Sequence, residues 1–133
     1  MPDIADATLN DLVDWLVGKA DPPATGTRYA ALFDGDPQGS GSEVTTTIRP
    51  SGRVAITSSM EDAGATNTGE SASTADIDFG NADSGATVTH IAIYDAASGG
   101  NLLMSDALTG GSQTVTAGNP VKIPSGDLTV SIS

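Results

Sequence analysis

Between residues 8 and 19, TLNDLVDWLVGK, apolar side chains fall at Leu9, Leu12, Val13, Leu16 and Val17. That i, i+3, i+4, i+7, i+8 spacing is one face of a 3.6-residue period and predicts an amphipathic helix. Thr8 is placed to cap its start, with Asp11 three residues on where a capping-box acid belongs. Asp11 and Asp14 suit the positive end of the helix dipole and Lys19 the negative end, and Pro22 and Pro23 stop the pattern. Trp15 lies at the edge of the stripe, open to either the core or a partner.

After the prolines the period changes to two and turn residues punctuate it. Strands are predicted at 27–34, 53–58, 75–80 and 87–94, then at short spacing through NLLMSDAL, SQTVTA and NPVKIP. The C-terminal DLTVSIS alternates, with Leu128, Val130 and Ile132 on one face. One N-terminal helix followed by about seven or eight short strands with glycine-rich turns predicts a mainly β fold, an antiparallel sandwich or barrel. The stretch from Thr89 to Leu108 is read as a β-hairpin turning at Ser98, Gly99, Gly100 and Asn101, with apolar residues on both faces and therefore covered on both sides. Its register is open. An odd pairing sum puts Met104 and Leu108 on the Ile91 face, an even one Leu103 and Ala107. Residues 34–47 and 58–74 hold mostly small polar side chains and are expected to be long surface loops or partly ordered arms.

The chain has 133 residues, material for one domain spanning 1–133: a helix at about 8–19 and a β-sandwich at about 27–133. Aromatic residues are only 4% of it, so the core is built from small and β-branched side chains and association would add stability. The net charge of −12, from 17 acids against five cations, repels nucleic acid and suits a soluble surface or a saline habitat. Cysteine is absent, which excludes disulfides, thiol catalysis and cysteine-bound zinc. No apolar run approaches a membrane span, and the acidic N-terminus lacks the basic start of a signal peptide. The expectation is a protein assembled in a cytoplasm, without nucleic acid or membrane as partner.

Candidate chemistry is sparse. DGDPQG at 34–39 imitates the start of an EF-hand loop, but position 12 is Thr45 rather than a bidentate glutamate, so turn chemistry is the expected role of these aspartates. His90, the sole histidine, sits mid-strand and shares a face by alternation with Val88, Ala92 and Tyr94. A catalytic histidine needs a nucleophile and an orienting acid in reach, and no nucleophile elbow, metal-ligand pair or phosphate loop accompanies it. The chain is expected not to be an enzyme and to hold no cofactor or metal.

Four segments together resemble a known family: the amphipathic N-terminal helix, RYAALFDGDP, VTHIAIYDAASGGNLLMSDAL and TVTAGNPVKIPSGDLTVSIS. The chain resembles small tailed-phage virion proteins, often labelled tail fibre and in several cases placed on the capsid as decoration or cement proteins. The resemblance implies a β-sandwich, Ig-like or jelly-roll-like, assembled as a trimer on the outer surface of a shell of major capsid protein. A protein that binds only the assembled lattice stabilises it by mass action, and symmetric copies multiply weak contacts. Candidate interface residues are Leu9, Leu12, Val13, Trp15 and Leu16 of the helix, with Arg49 and Arg53 as cations for a partner's acids. The competing reading of the helix stripe is that it caps the subunit's own core. The leading expectation is a capsid decoration protein, with a tail or tail-fibre component and then a host-surface or carbohydrate-binding module as alternatives.

Overall fold

A computed structural model describes residues 3–132. In chain order the elements are β1 (Asp3–Ile4), α1 (Asp6–Leu16), β2 (Tyr29–Asp34), β3 (Ser42–Glu43), α2 (Thr45–Ile48), β4 (Val54–Ala55), β5 (Glu70–Ala72), β6 (Ile77–Asn81), β7 (Ala86–Val88), β8 (His90–Tyr94), β9 (Leu102–Ala107), β10 (Gln113–Val115), β11 (Pro120–Ile123) and β12 (Thr129–Ser131). The fold is mainly β and antiparallel with one long helix near the N-terminus, consistent with a β-sandwich.

One sheet runs β1-β9-β8-β2-β3, with β4 also paired to β2; three two-stranded ribbons, β7/β10, β6/β11 and β5/β12, supply the other strands. The core joins the two sets. Ala30, Leu32, Ile91, Ile93 and Met104 from the large sheet meet Ile77, Phe79, Val88 and Leu128 from the ribbon side, closed by Ile48 and Ile56. The β8–β9 register has the odd sum: Ile93 pairs Met104 and Ile91 pairs Asp106, until a bulge after Ile93 sets Tyr94 opposite Leu102. Met104 and Leu108 thus join the Ile91 side, and the bulge turns Leu103 there as well.

β2 and β8 are buried on both faces, as expected of a central pair. Ala31, Phe33 and Ala92 form a second, smaller cluster on the face away from the main core, with Tyr94 and Leu102 against it. The hairpin tip closes where Asn101 N–H donates to Asp95 Oδ1 (2.7 Å) and Asp95 N–H to Asn101 O (3.2 Å). Gly100 there has φ +73°, and a Cβ on it would sit 2.6 Å from both Ala96 Cβ and Asp95 Oδ1, so only glycine fits.

Several sequence expectations are corrected. The helix starts at Asp6, capped by the Ala5 backbone with no side-chain cap, because Ala5 N–H bonds Leu103 O (2.9 Å) and pins the start to β9; Thr8 lies within the helix. Its end is set by Gly18, not the prolines. Gly18 N–H bonds Trp15 O and Lys19 N–H bonds Asp14 O at a glycine φ of +79°, a Schellman motif. The predicted strand 87–94 is two strands in different sheets, broken at Thr89, whose N–H goes to Phe33 O and whose hydroxyl accepts from Gly35 N–H. Val88 therefore faces the main core with Ile91 and Ile93, and shares no face with His90. Segment 34–47 is not loose: it holds β3 and α2, and Thr45 and Ile48 are fully buried. Segment 58–74 contains β5, bridged further by Met60 opposite Ser73.

Candidate functional site

α1 carries its stripe outward. None of its residues is buried, and Leu9, Val13, Trp15, Leu16 and, at the cap, Val17 are between 45% and 72% exposed. Leu12 is half-buried and, with Thr8, faces a groove beside the helix. The six exposed large apolar residues among the described ones are these five and Ile132, 55% exposed, which lines the same groove. Single exposed apolar residues are ordinary, but a gathering at one place marks a binding surface.

The groove has a volume of about 430 Å³ and is lined chiefly by apolar side chains, among them Leu12, Ile56, Met60, Leu103, Val130 and Ile132. The C-terminal alternation grades along it, from Leu128 in the core through half-buried Val130 to exposed Ile132. Its polar members include Arg28, Glu61 and Asp62. Glu61 Oε2 accepts from the Thr66 hydroxyl (3.1 Å), whereas Glu61 Oε1 is shielded from solvent with no hydrogen-bond partner among the described residues. A buried, unpartnered carboxylate oxygen is costly and calls for a donor.

The two candidate cations stand elsewhere and point inward. Arg53 has a side chain only 6% exposed. Its Nε and Nη2 donate to Glu43 Oε2 (3.0 Å) and Oε1 (2.8 Å), a bidentate fork. Its Nη1 donates to Ala96 O (2.9 Å) and Gly99 O (2.8 Å) at the hairpin tip, and the guanidinium lies 3.7 Å from the centre of the Tyr94 ring. Tyr94 in turn lies parallel to Phe33, centroids 6.2 Å apart. Burial would raise the Glu43 carboxyl, but hydrogen bonds from Arg53 and the Thr45 hydroxyl, with the guanidinium charge, outweigh it and hold it below the usual carboxylate range. Burial pushes the Tyr94 phenol up. Arg49 Nη1 donates to Gly52 O (2.8 Å) and Arg53 O (3.0 Å). Arg53 is thus spent on holding the second face of the sheet shut, and the structure does not bring either arginine to the α1 stripe.

His90 Nδ1 is 2.8 Å from the Thr89 hydroxyl, with no carboxylate hydrogen-bonded to it among the described residues. At the EF-hand-like segment, Asp36 Oδ1 accepts from Gln38 N–H (2.9 Å) and Asp36 O from Gly39 and Gly41 N–H, which is turn chemistry. Among the described residues no group of three or more carboxylate or imidazole side chains is placed to hold a metal. Sequence reasoning missed the groove, because Ile56, Met60, Glu61 and Val130 come from separate segments that only the fold joins. The visible signal was Ile132, apolar at the end of an alternating strand.

The family model for podophage GP4 fiber I protein gp80 matches residues 3–131. The chain belongs to this family. The match spans β1 through β12, so the exposed helix and the groove both lie within the gp80 family's own extent. It is a family of tailed-phage virion proteins, as the resemblance in the sequence implied. No curated protein matches the chain.

Proposed function

We propose that the protein is a fibre-type structural subunit of a tailed-phage virion, acting by surface contact rather than catalysis. The observation that carries this is the gp80 family match over residues 3–131, whose description is of a fibre protein. It ranks a fibre role above the capsid decoration expected first from the sequence. The exposed α1 stripe and the adjoining groove support a contact role, because so much clustered apolar surface is unfavourable on a free monomer in water. On this reading the subunit assembles with further copies of itself, as a trimer by the sequence expectation, and attaches to other virion proteins. The −12 charge argues against nucleic acid as the partner, and no helix of the described residues is long and apolar enough to cross a membrane.

Cryo-electron microscopy of the native particle tests the reading. Density for the β-sandwich in fibres at the tail or neck is the expected result. Copies arrayed over the icosahedral lattice would return the protein to the decoration class, with the major capsid protein as partner, and absence from the particle would overturn the virion role.

A further inference from the structure

The exposed apolar stripe of α1, the apolar groove next to it and the unpartnered Glu61 oxygen occur together on one chain, and they complement one another. The stripe is the right chemistry to fill the groove. The groove also asks for one hydrogen-bond donor, at Glu61 Oε1. The segment that follows the stripe supplies a cation. Lys19 lies just past the Gly18 cap, is exposed, and has no carboxylate within ion-pair distance among the described residues.

We propose that α1 of one copy packs its exposed stripe over the groove of a second copy, bringing Lys19 to the Glu61 carboxylate there. This deepens the proposed fibre role and rests on it for its biological setting, though the contact itself is a property of the chain. The occupant is a second copy because one chain holds both halves of the match: apolar residues on the outer side of α1, and an acid-bearing apolar groove on its inner side. α1 need not leave its own body. Ala5 N–H stays bonded to Leu103 O, Leu12 stays on its own groove, and the second helix lies alongside. Such a contact closes as a reciprocal pair or as a ring, and in both the same residues meet. The charge of −12 on each copy opposes association at long range, but about 8 Å of screening at physiological salt leaves the local contact to decide.

The test uses the full chain. Light scattering after size exclusion reads the assembly, circular-dichroism melting checks the fold, and carbodiimide cross-linking of mixed heavy- and light-isotope protein reads which carboxylate of one copy Lys19 of another copy joins. Wild type is expected to assemble and to give an inter-copy Lys19–Glu61 cross-link. Leu16→Asp, at an exposed position, should weaken assembly by at least roughly tenfold without disturbing the fold. Lys19→Glu should weaken it by roughly threefold to tenfold, and Lys19→Glu with Glu61→Lys should recover most of that loss. A monomeric wild type, unchanged assembly in Leu16→Asp, or a Lys19 cross-link only within one copy would overturn the proposal. If Glu61→Lys melts early, the cross-link and the Leu16→Asp result decide alone. Assembly that survives these variants in a protein still seen in virion fibres sinks this contact and spares the fibre role; the contact without the protein in the particle does the reverse.

Discussion

Replacing Arg53 tests whether the second face of the sheet is held by one guanidinium. Arg53→Ala removes the bidentate pair with Glu43, two bonds to the carbonyls of Ala96 and Gly99, and the stack on Tyr94. Breaking a fully buried ion pair costs about 3–5 kcal/mol, but the Glu43 side chain is 29% exposed and water can reach it, which brings this down to about 1.5 kcal/mol. The freed carbonyls lie at a surface turn and rehydrate, so their loss adds about 0.5–1 kcal/mol. The ring contact adds about 1 kcal/mol. The expected destabilisation is about 3 kcal/mol, or roughly a 10 °C fall in midpoint for a chain of this size. Arg53→Lys keeps the charge but loses the planar fork and the stack, and should cost about half as much. Urea and thermal unfolding at fixed protein concentration, with a double-mutant cycle against Glu43→Gln, measures it. If Arg53→Ala unfolds within about 0.5 kcal/mol of wild type, the claim that this cation closes the sheet is refuted.

Four further outcomes follow from the same structure. Glu43 titrates below its usual range when folded, so the stability it contributes is present above the unfolded carboxylate value and lost as pH falls through the folded one; acid unfolding below about pH 4 should flatten in Glu43→Gln. Thr45→Val leaves the buried Leu32 N–H without its 2.9 Å acceptor and should cost about 1–3 kcal/mol by urea unfolding. Gly18→Ala forces a side chain into φ +79° at the helix end and should cost about 1–2 kcal/mol in thermal melts, with fraying of α1 seen by amide exchange. Raising salt from low ionic strength should strengthen self-association, because it screens repulsion between copies of charge −12; weaker association at moderate salt would show that the Lys19–Glu61 pair outweighs that repulsion.

The periodic features were legible in the sequence. The α1 stripe, the strand around Ala30 to Phe33 and the hairpin through Gly99 and Gly100 each repeat at the spacing of their element, and composition alone named their turns. What was hidden has local causes. α2 is one turn of TTTI, whose threonines read as loop, yet Thr45 is buried because its hydroxyl serves Leu32. The break at Thr89 reads as an ordinary β-branched residue, and only the offset of Val88 from Ile91 and Ile93 betrays it. The helix start went astray because the bond from Ala5 to Leu103 is a tertiary contact that overrides capping preference. Within the candidate site, Leu9, Val13, Trp15 and Leu16 were visible from their period, whereas the direction in which Arg53 points was not.

α1 is moored at one end only. Ile4 and Ala5 tie its start to β9, while past Gly18 the chain runs irregularly and exposed through Pro22 and Pro23 before β2 begins. An 11-residue helix held this way is a lever about 16 Å long, and a tilt of a few degrees at its root moves Leu16 by an ångström or more. Compliance of that kind lets one set of side chains fit neighbours arrayed at different curvatures, while the sandwich behind it keeps its shape.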